Sequence, residues 1–198
     1  MEATAAERYT TGGPGVEPAS TSFPAAFLET VERLGDGTAV VDGERSVTWN
    51  ELREQARAVA GGLASIGVGK GDTVALMLNN RLEFFPIDLG VVTLGGVPFS
   101  IYQTASPEQI AYVVGDAGAK VAIVEKSYLE TFEKAGTDVE HIIVLDGEGG
   151  TMSFDELIAV DPDFDDAASA AGVELDDTLT LIYTSGTTGP PKGVELTH

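Results

Sequence analysis

Residues 183–193 read Tyr-Thr-Ser-Gly-Thr-Thr-Gly-Pro-Pro-Lys-Gly, a run of small hydroxyls and glycines that contains a single cation. The apolar run at 179–183 predicts a buried strand before it, and residues 193–197 alternate apolar and polar side chains like a second strand after it. The stretch is therefore predicted to be a loop that joins two strands.

This loop has the groups that a polyphosphate needs. Gly186 and Gly189 permit positive φ angles and close backbone approach, so successive N–H groups can form an anion-binding nest. Lys192 supplies a compact ammonium group suited to a terminal phosphate. Hydroxyl donors come from Thr184, Ser185, Thr187 and Thr188. The competing interpretation is a plain hairpin turn rich in glycine, proline and threonine.

The charge of the chain makes Lys192 conspicuous. The sequence has 32 acidic and 11 basic residues, a formal net charge of −21, and residues 135–191 contain no Lys or Arg. A nucleotide would be repelled by this field at long range and needs a local counter-charge, which Lys192 can supply. The same acidic balance argues against nucleic acid as a partner and against attraction to anionic lipid head groups.

The loop does not follow the phosphate-binding pattern of common ATPases and GTPases. That pattern is Gly, four residues, then Gly-Lys-Ser/Thr before a helix. Counted from Gly186, Pro191 takes the place of the second glycine, Gly193 takes the place of the hydroxyl, and a strand-like segment follows. An ordinary ATPase or GTPase is therefore disfavoured.

The stretch resembles the phosphate-loop signature of the AMP-forming adenylating enzymes, which comprise acyl-CoA synthetases, adenylation domains of nonribosomal peptide synthesis and luciferases. The likeness extends upstream. Residues 46–52 resemble the family's T-Y-x-E-L helix start, 69–75 match G-x-x-x-G-D-x-V, and 100–112 resemble the long-chain fatty acyl-CoA synthetases in particular. The resemblance covers roughly residues 23–198.

The resemblance implies two half-reactions. A carboxylic acid, expected to be a long-chain fatty acid, attacks the α-phosphate of ATP to give acyl-adenylate and pyrophosphate, and the sulfur of coenzyme A then attacks the acyl carbon. By the same resemblance, Thr184 is a ligand of Mg²⁺. The groups expected around the β- and γ-phosphates are Ser185, Gly186, Thr187, Thr188, Gly189 and Lys192.

No catalytic residue is expected among these 198 residues. The family's adenine-binding segment, ribose-binding Asp and catalytic Lys would all lie beyond His198. We therefore expect a truncated front part of the large N-terminal domain, inactive on its own. Pro190-Pro191 departs from the commoner single proline before the lysine and is expected to stiffen the loop.

The predicted fold class is α/β, a mostly parallel sheet with helices on both faces. Short apolar, β-branched runs at 74–78, 97–102, 121–125 and 142–146 alternate with helical segments, which is typical of such a sheet. A helix is predicted at 23–34 and a small hairpin at 38–47. Helix starts are marked by capping boxes at 48–51, 106–109 and 153–156.

The expected organisation is a flexible segment at 1–22 followed by an incomplete AMP-binding domain at 23–198. Within the latter, residues 161–177 hold seven acidic and no basic side chains and are predicted to be a solvated connection. Residues 178–198 form the predicted phosphate-loop hairpin. Residues 102–104 follow a predicted strand, where α/β folds place ligands. We favour the interpretation that they position the next helix over the interpretation that they contact the substrate.

The compartment expected is the cytoplasm. The sequence has no Cys, so disulfides are excluded, and His141 and His198 are too few and too far apart to indicate a zinc site. Residues 1–22 lack the apolar core of a secretory signal, and the run at 89–99 is too short to span a bilayer. The oligomeric state is not predicted.

Two alternatives stay open on the sequence. One is an adenylation domain that activates an amino or aryl acid, which differs only in substrate. The other is a noncatalytic nucleotide-binding module that uses the loop alone.

Overall fold

Short apolar runs form a parallel β-sheet that is buried on both faces. The computed structural model of the chain describes residues 21–184 and 190–198. Its strands are β1 (Thr38–Asp42), β2 (Arg45–Thr48), β3 (Thr73–Met77), β4 (Val97–Ser100), β5 (Val121–Glu125), β6 (His141–Leu145), β7 (Met152–Ser153), β8 (Thr178–Thr184) and β9 (Lys192–Thr197).

The helices lie between and beside these strands. They are α1 (Phe23–Leu34), α2 (Trp49–Ser65), α3 (Phe84–Thr93), α4 (Pro107–Ala117), α5 (Leu129–Lys134), α6 (Phe154–Ile158) and α7 (Asp166–Ala170). All three predicted capping boxes are present, at the starts of α2, α4 and α6. In each, the N-cap hydroxyl accepts from the third backbone N–H while the Glu or Gln side chain accepts from the N-cap N–H.

The main sheet has five strands in the order β4-β3-β5-β6-β7, and every neighbouring pair is parallel. The remaining strands form two antiparallel hairpins, β1-β2 and β8-β9. The chain passes from β3 to β4 on one side and then returns to β5 on the other, so the strand order reverses beside β3. The predicted mostly parallel α/β sheet is therefore confirmed.

Alternate side chains of the sheet point into two separate cores. Val74 and Leu76 of β3 join Ile123 and Ile143 in a core completed by α2, α3 and α6. Ala75 and Met77 point to the other face, where α4, α5 and the β8-β9 hairpin cover the sheet. A third core, between α1, the β1-β2 hairpin and α2, includes the ring contact of Phe27 with Trp49.

The acidic segment 161–177 is not simply a solvated connection. It contains α7, whose Asp166 is buried and pairs with Arg53 of α2 at 2.8 Å. Ala170 and Val173 are also buried. The prediction of a solvated segment is therefore wrong at these residues, because the Arg53 guanidinium supplies the counter-charge that a buried carboxylate requires.

Among the described residues, no helix is long and apolar enough to cross a membrane.

Candidate functional site

The predicted loop joins two antiparallel strands, as the sequence indicates. Strand β8 ends at Thr184 and β9 begins at Lys192, and these two residues face each other in the ladder. Of the predicted phosphate-binding residues, Thr184 and Lys192 are described. The others, Ser185, Gly186, Thr187, Thr188 and Gly189, lie outside the described residues.

Thr184 and Lys192 are both exposed at the same end of the hairpin. Because they are cross-strand partners, their side chains leave the same face of the two-stranded sheet. In the described part of the chain, the lysines that form ion pairs with carboxylates are Lys70, Lys120 and Lys134, and Lys192 is not among them. The site thus offers a hydroxyl and an ammonium group side by side.

The hairpin is anchored on the main sheet through β8. The Thr180 hydroxyl donates to the Pro98 carbonyl of β4 at 2.7 Å. Tyr183 is 7% exposed and packs in the second core, and its hydroxyl donates to an Asp116 carboxylate oxygen on α4 at 2.9 Å. Burial, together with this hydrogen bond, raises the pKa of Tyr183 far above its ordinary value.

The face of the hairpin that carries Thr184 and Lys192 lies opposite the buried Tyr183, and it also presents apolar side chains that the described residues leave exposed. Ile182 and Val194 are cross-strand partners, and Leu196 lies next to them on β9. All three side chains are more than two-fifths exposed, at 46%, 44% and 43%. A contiguous apolar face of this kind is usual at a surface that packs against another unit of structure.

The segment after β4 lies beside the hairpin. The Gln103 amide donates to the Leu78 carbonyl at 2.6 Å, and Ser106 caps α4, so these residues position the chain. Tyr102, by contrast, is 70% exposed. A cavity of about 160 Å³ lies between Tyr102, Thr104, Tyr183 and Pro191. The positioning prediction holds for Gln103, whereas Tyr102 and Thr104 line a cavity next to the loop.

A polar cluster at the carboxyl edge of the parallel sheet was missed by the sequence analysis. Arg81, which follows β3, pairs with Glu83 at 2.7 Å, with Glu125 at 3.6 Å and with Asp146. Arg45 also contacts Glu83, at 2.7 Å. Burial alone would raise the pKa of Glu83, but the hydrogen bonds from Arg45 and Arg81 hold it at about 2.

This cluster ties together the loops that follow β3, β5 and β6. Parallel α/β sheets bind ligands at this edge, near the point where strand order reverses. Here, however, the Arg81 guanidinium is already engaged by three carboxylates. The arrangement is therefore a structural clamp, and the sequence signal for it was a charged residue at or shortly after the end of each of three strands.

The described residues contain no group of three or more His, Cys, Asp or Glu side chains placed to hold a metal ion. His141 begins β6 and pairs with Val121. His198 Nδ1 accepts a hydrogen bond from the Phe23 N–H at 3.1 Å, which joins the end of the hairpin to the start of α1. His141 is thus a strand residue of the parallel sheet, and His198 connects the hairpin to α1.

A parallel α/β sheet that supports a Gly- and Thr-rich hairpin loop closed by a lysine defines a class of nucleotide-binding proteins. A family model described as AMP-binding enzyme matches residues 27–198. The chain belongs to this family, and the resemblance to adenylate-forming enzymes is confirmed.

Relatives in this family differ in length and in the acid that their names give. Uncharacterized protein Rv1549 of Mycobacterium tuberculosis is 40% identical over 141 residues, which make up 66% of this chain and 78% of that protein. Long-chain-fatty-acid–CoA ligase FadD15 of Mycobacterium bovis is 36% identical over 174 residues, 84% of this chain and 28% of the ligase. 4-Coumarate–CoA ligase 3 of Oryza sativa is 34% identical over 169 residues, with 83% and 30% covered.

Solved structures agree with these relatives. The anthranilate CoA ligase AuaEII in complex with anthranoyl-AMP is 28% identical with a TM-score of 0.81, covering 91% of this chain and 35% of that one. The luciferase-like enzyme of the mealworm Zophobas morio is 25% identical with a TM-score of 0.82, covering 92% and 44%. This chain thus spans under half of these enzymes and about three-tenths of the two named ligases.

Proposed function

We propose that this chain is the phosphate-binding part of an AMP-forming acid–thiol ligase. The observation that supports the proposal is the hairpin end, where exposed Thr184 and Lys192 face each other across the ladder at the two sides of the signature loop. Membership of the AMP-binding enzyme family supports ATP as the nucleotide and a carboxylic acid and coenzyme A as the other substrates. The complete ligase is this chain together with the remainder of such an enzyme.

The loop residues are proposed to bind the β- and γ-phosphates of ATP. Lys192 neutralises charge on the departing pyrophosphate and acts neither as nucleophile nor as base. Phosphate oxygens accept hydrogen bonds from backbone N–H groups and hydroxyls, and a charged donor adds strength. The neutral donors proposed are Ser185, Gly186, Thr187, Thr188 and Gly189.

Thr184 fits the role of a magnesium ligand. Its hydroxyl is exposed at the end of β8 beside the Lys192 position, and an oxygen donor next to phosphate oxygens is the kind of ligand that Mg²⁺ prefers. When bound, the ion would neutralise phosphate charge. Thr184 itself holds its hydroxyl at the rim of the loop, where the backbone is fixed by the β8-β9 ladder.

The proposed reaction has two steps. The acid carboxylate attacks the α-phosphorus of ATP, the bond to the β-phosphate oxygen breaks, and pyrophosphate leaves with that electron pair. The thiol of coenzyme A then gives up its proton and its sulfur attacks the acyl carbon, releasing AMP. In this chemistry alignment and charge neutralisation dominate, and these are the tasks of Thr184, Lys192 and the loop.

A long-chain fatty acid is the proposed acid. Residues 100–112 resemble the long-chain branch, and FadD15 is among the relatives. A relative named for 4-coumarate and a structure named for anthranilate leave aryl acids as the competing class.

The absence of cysteine supports the cytoplasm as the compartment. The chain alone is proposed to be inactive, with the reacting groups supplied by the remainder of the ligase.

A noncatalytic nucleotide-binding module is the second candidate. It is favoured by one observation: Rv1549, at 40% identity, is comparable in length with this chain. Such a module would bind ATP through the loop and turn nothing over.

Acid-dependent exchange of pyrophosphate into ATP separates these possibilities. The complete ligase is expected to exchange with palmitate and not with 4-coumarate, anthranilate or amino acids. Calorimetric titration of the 198-residue chain with Mg-ATP is the companion measurement. Tight ATP binding by the chain alone, with no pyrophosphate exchange by the complete ligase, would favour the noncatalytic module. Exchange that occurs only with an aryl or amino acid would show that the substrate is of that class and not a fatty acid.

A further inference from the structure

Tyr183 is a buried residue near the end of strand β8, where the strand leads into the loop. It precedes Thr184, the last residue of β8, and its ring lies 5.7 Å from the Phe99 ring, centroid to centroid. Strand residues on either side of it, Ile182 and Thr184, are exposed. Tyr183 is therefore the last point at which β8 is fixed to the body of the domain before the loop begins.

The Tyr183 ring covers the backbone of Gly193, its partner across the hairpin. A Cβ atom at Gly193 would lie 3.2 Å from Cζ, 3.3 Å from the hydroxyl oxygen and 3.4 Å from Cε1 of Tyr183. Gly193 does not have a positive φ angle, so its backbone would accept an L side chain. A side chain at position 193 would therefore require the Tyr183 ring to shift by a few tenths of an ångström, and the glycine avoids this crowding.

Asp116 fixes the other end of the Tyr183 side chain. The tyrosine hydroxyl donates to its carboxylate at 2.9 Å, and a hydrogen bond to a charged acceptor is stronger than a neutral one. Asp116 belongs to α4, which begins with a capping box and packs on the parallel sheet through Ile110 and Val114. The ring is thus held between β4, α4 and the backbone of β9.

Both contacts act beside the loop ends. Tyr183 precedes Thr184, and Gly193 follows Lys192, so the ring joins the two strands one residue away from the proposed magnesium ligand and from the proposed phosphate-binding lysine. A tyrosine that merely filled the core could lie anywhere along β8. A displaced ring at this position moves the backbone that places the Lys192 ammonium group.

We propose that Tyr183 is a positioning residue, which sets where Thr184 and Lys192 meet the polyphosphate of ATP by stacking on Gly193 and bonding to Asp116. This inference rests on the proposed function of the loop. It adds that the contact between the Tyr183 ring and Gly193 helps to shape the phosphate site, although neither residue touches the nucleotide.

Three variants of the complete ligase test the proposal by ATP–pyrophosphate exchange. Tyr183→Phe keeps the ring and removes the bond to Asp116, and we expect the KM for ATP to rise about two- to tenfold. Gly193→Ala forces the ring to shift by a few tenths of an ångström and is expected to raise that KM about two- to tenfold. The KM for the acid should stay unchanged in both, since a loosely held loop affects the nucleotide alone.

Tyr128→Phe is the matched control. It also removes a tyrosine hydroxyl that donates to a side chain, here Asn79 Oδ1 at 2.6 Å, but it lies on the turn before α5 and not on the hairpin. Its KM for ATP should equal that of the wild type. Asp116→Asn retains an acceptor oxygen and should lose less than Tyr183→Phe.

A double variant, Tyr183→Leu with Gly193→Ala, checks that the two residues act as one unit. We expect it to lose no more than the worse of its two single variants, because residues in contact are not additive. If Gly193→Ala fails to fold, Tyr183→Phe alone decides the question.

Lys192→Ala separates this proposal from the proposed function. Impaired exchange in Lys192→Ala with an unchanged KM for ATP in Tyr183→Phe and Gly193→Ala would overturn the positioning role and leave the phosphate site standing. Equal rises in the KM for ATP and for the acid would also overturn it, since they indicate general disruption. Unimpaired exchange in Lys192→Ala would overturn the phosphate site itself.

Discussion

Gly90 of α3 lies in close contact with α2, and it provides a sharp test of the packing. A Cβ atom at Gly90 would lie 2.7 Å from both Cβ and Cγ1 of Val59 and 2.9 Å from the Ala56 carbonyl oxygen. Real carbon–carbon contacts are about 3.5–4.0 Å, so the helices must separate by close to 1 Å. Val59 is β-branched and 1% exposed, so it has no alternative rotamer space to enter.

We expect Gly90→Ala to lower the free energy of unfolding by about 2–3 kcal/mol, at the upper part of the range for overpacked cores. The gain in helix propensity, about 0.5–1 kcal/mol, opposes this loss but is smaller. Urea unfolding of the chain, followed by the fluorescence of Trp49, measures the change, since Trp49 is the only tryptophan and begins α2.

Gly115→Ala is the matched control for this substitution. Gly115 is also inside a helix, α4, but a Cβ atom there would meet nothing within 4 Å. The same change is therefore expected to stabilise the chain by about 0.5–1 kcal/mol. Equal effects of the two substitutions would refute the close approach of α2 and α3 at Gly90.

Two further predictions concern charged groups. Arg81→Ala leaves three carboxylates without their shared partner and is expected to cost about 2–3 kcal/mol of stability, whereas Lys134→Ala, which breaks an exposed pair with Glu130, should cost less than about 0.5 kcal/mol. Equal losses in urea unfolding would contradict the clamp. Asp88 has a pKa raised by burial to about 6, above the ordinary 3.8, so the folded state binds the extra proton between these values and loses stability as pH rises through 6. Asp88→Asn is therefore expected to be about 3 kcal/mol more stable than the wild type at pH 7 and to lose this advantage towards pH 4, and a pH-independent difference would show that the carboxyl is not the cause.

Local signals in the sequence were sufficient for several elements. The helix predicted at 23–34 has those bounds in the structure, and the three capping boxes occur where the Ser/Thr and Glu/Gln spacing placed them. The capping boxes depend on hydrogen bonds between residues three positions apart, and the helix depends on bonds between residues four positions apart. A single segment therefore contains all the information that they need.

Elements that depend on distant partners were not predicted. Helix α3 has buried apolar side chains on several sides, so its sequence lacks the one-sided pattern that marks a surface helix. The buried Asp166 of α7 looked like one more solvated acid, because its partner Arg53 lies 113 positions away. Strand order was likewise beyond local reasoning, since nothing in β4 or β5 alone says on which side of β3 each will pair.

The candidate site was likewise predictable from the sequence only in part. A continuous apolar run predicted the first strand and alternating side chains the second, and the structure places Thr184 opposite Lys192. The contact of Tyr183 with Asp116 joins positions 67 apart and could not be read from the motif. The close fit of the Tyr183 ring against Gly193 depends on the folded hairpin and is not visible in the motif.

The most direct test of the central claim is the effect of Lys192→Ala on acid-dependent ATP–pyrophosphate exchange by the complete ligase. A charge-assisted phosphate contact contributes roughly 1.5–3 kcal/mol, which corresponds to about a ten- to hundredfold loss of exchange. Lys120→Ala removes an exposed lysine that pairs with Glu140 and serves as the control, with exchange expected at the wild-type level. A loss confined to Lys192→Ala is the predicted result, and near wild-type exchange in that variant would contradict the assignment of the hairpin as the phosphate site.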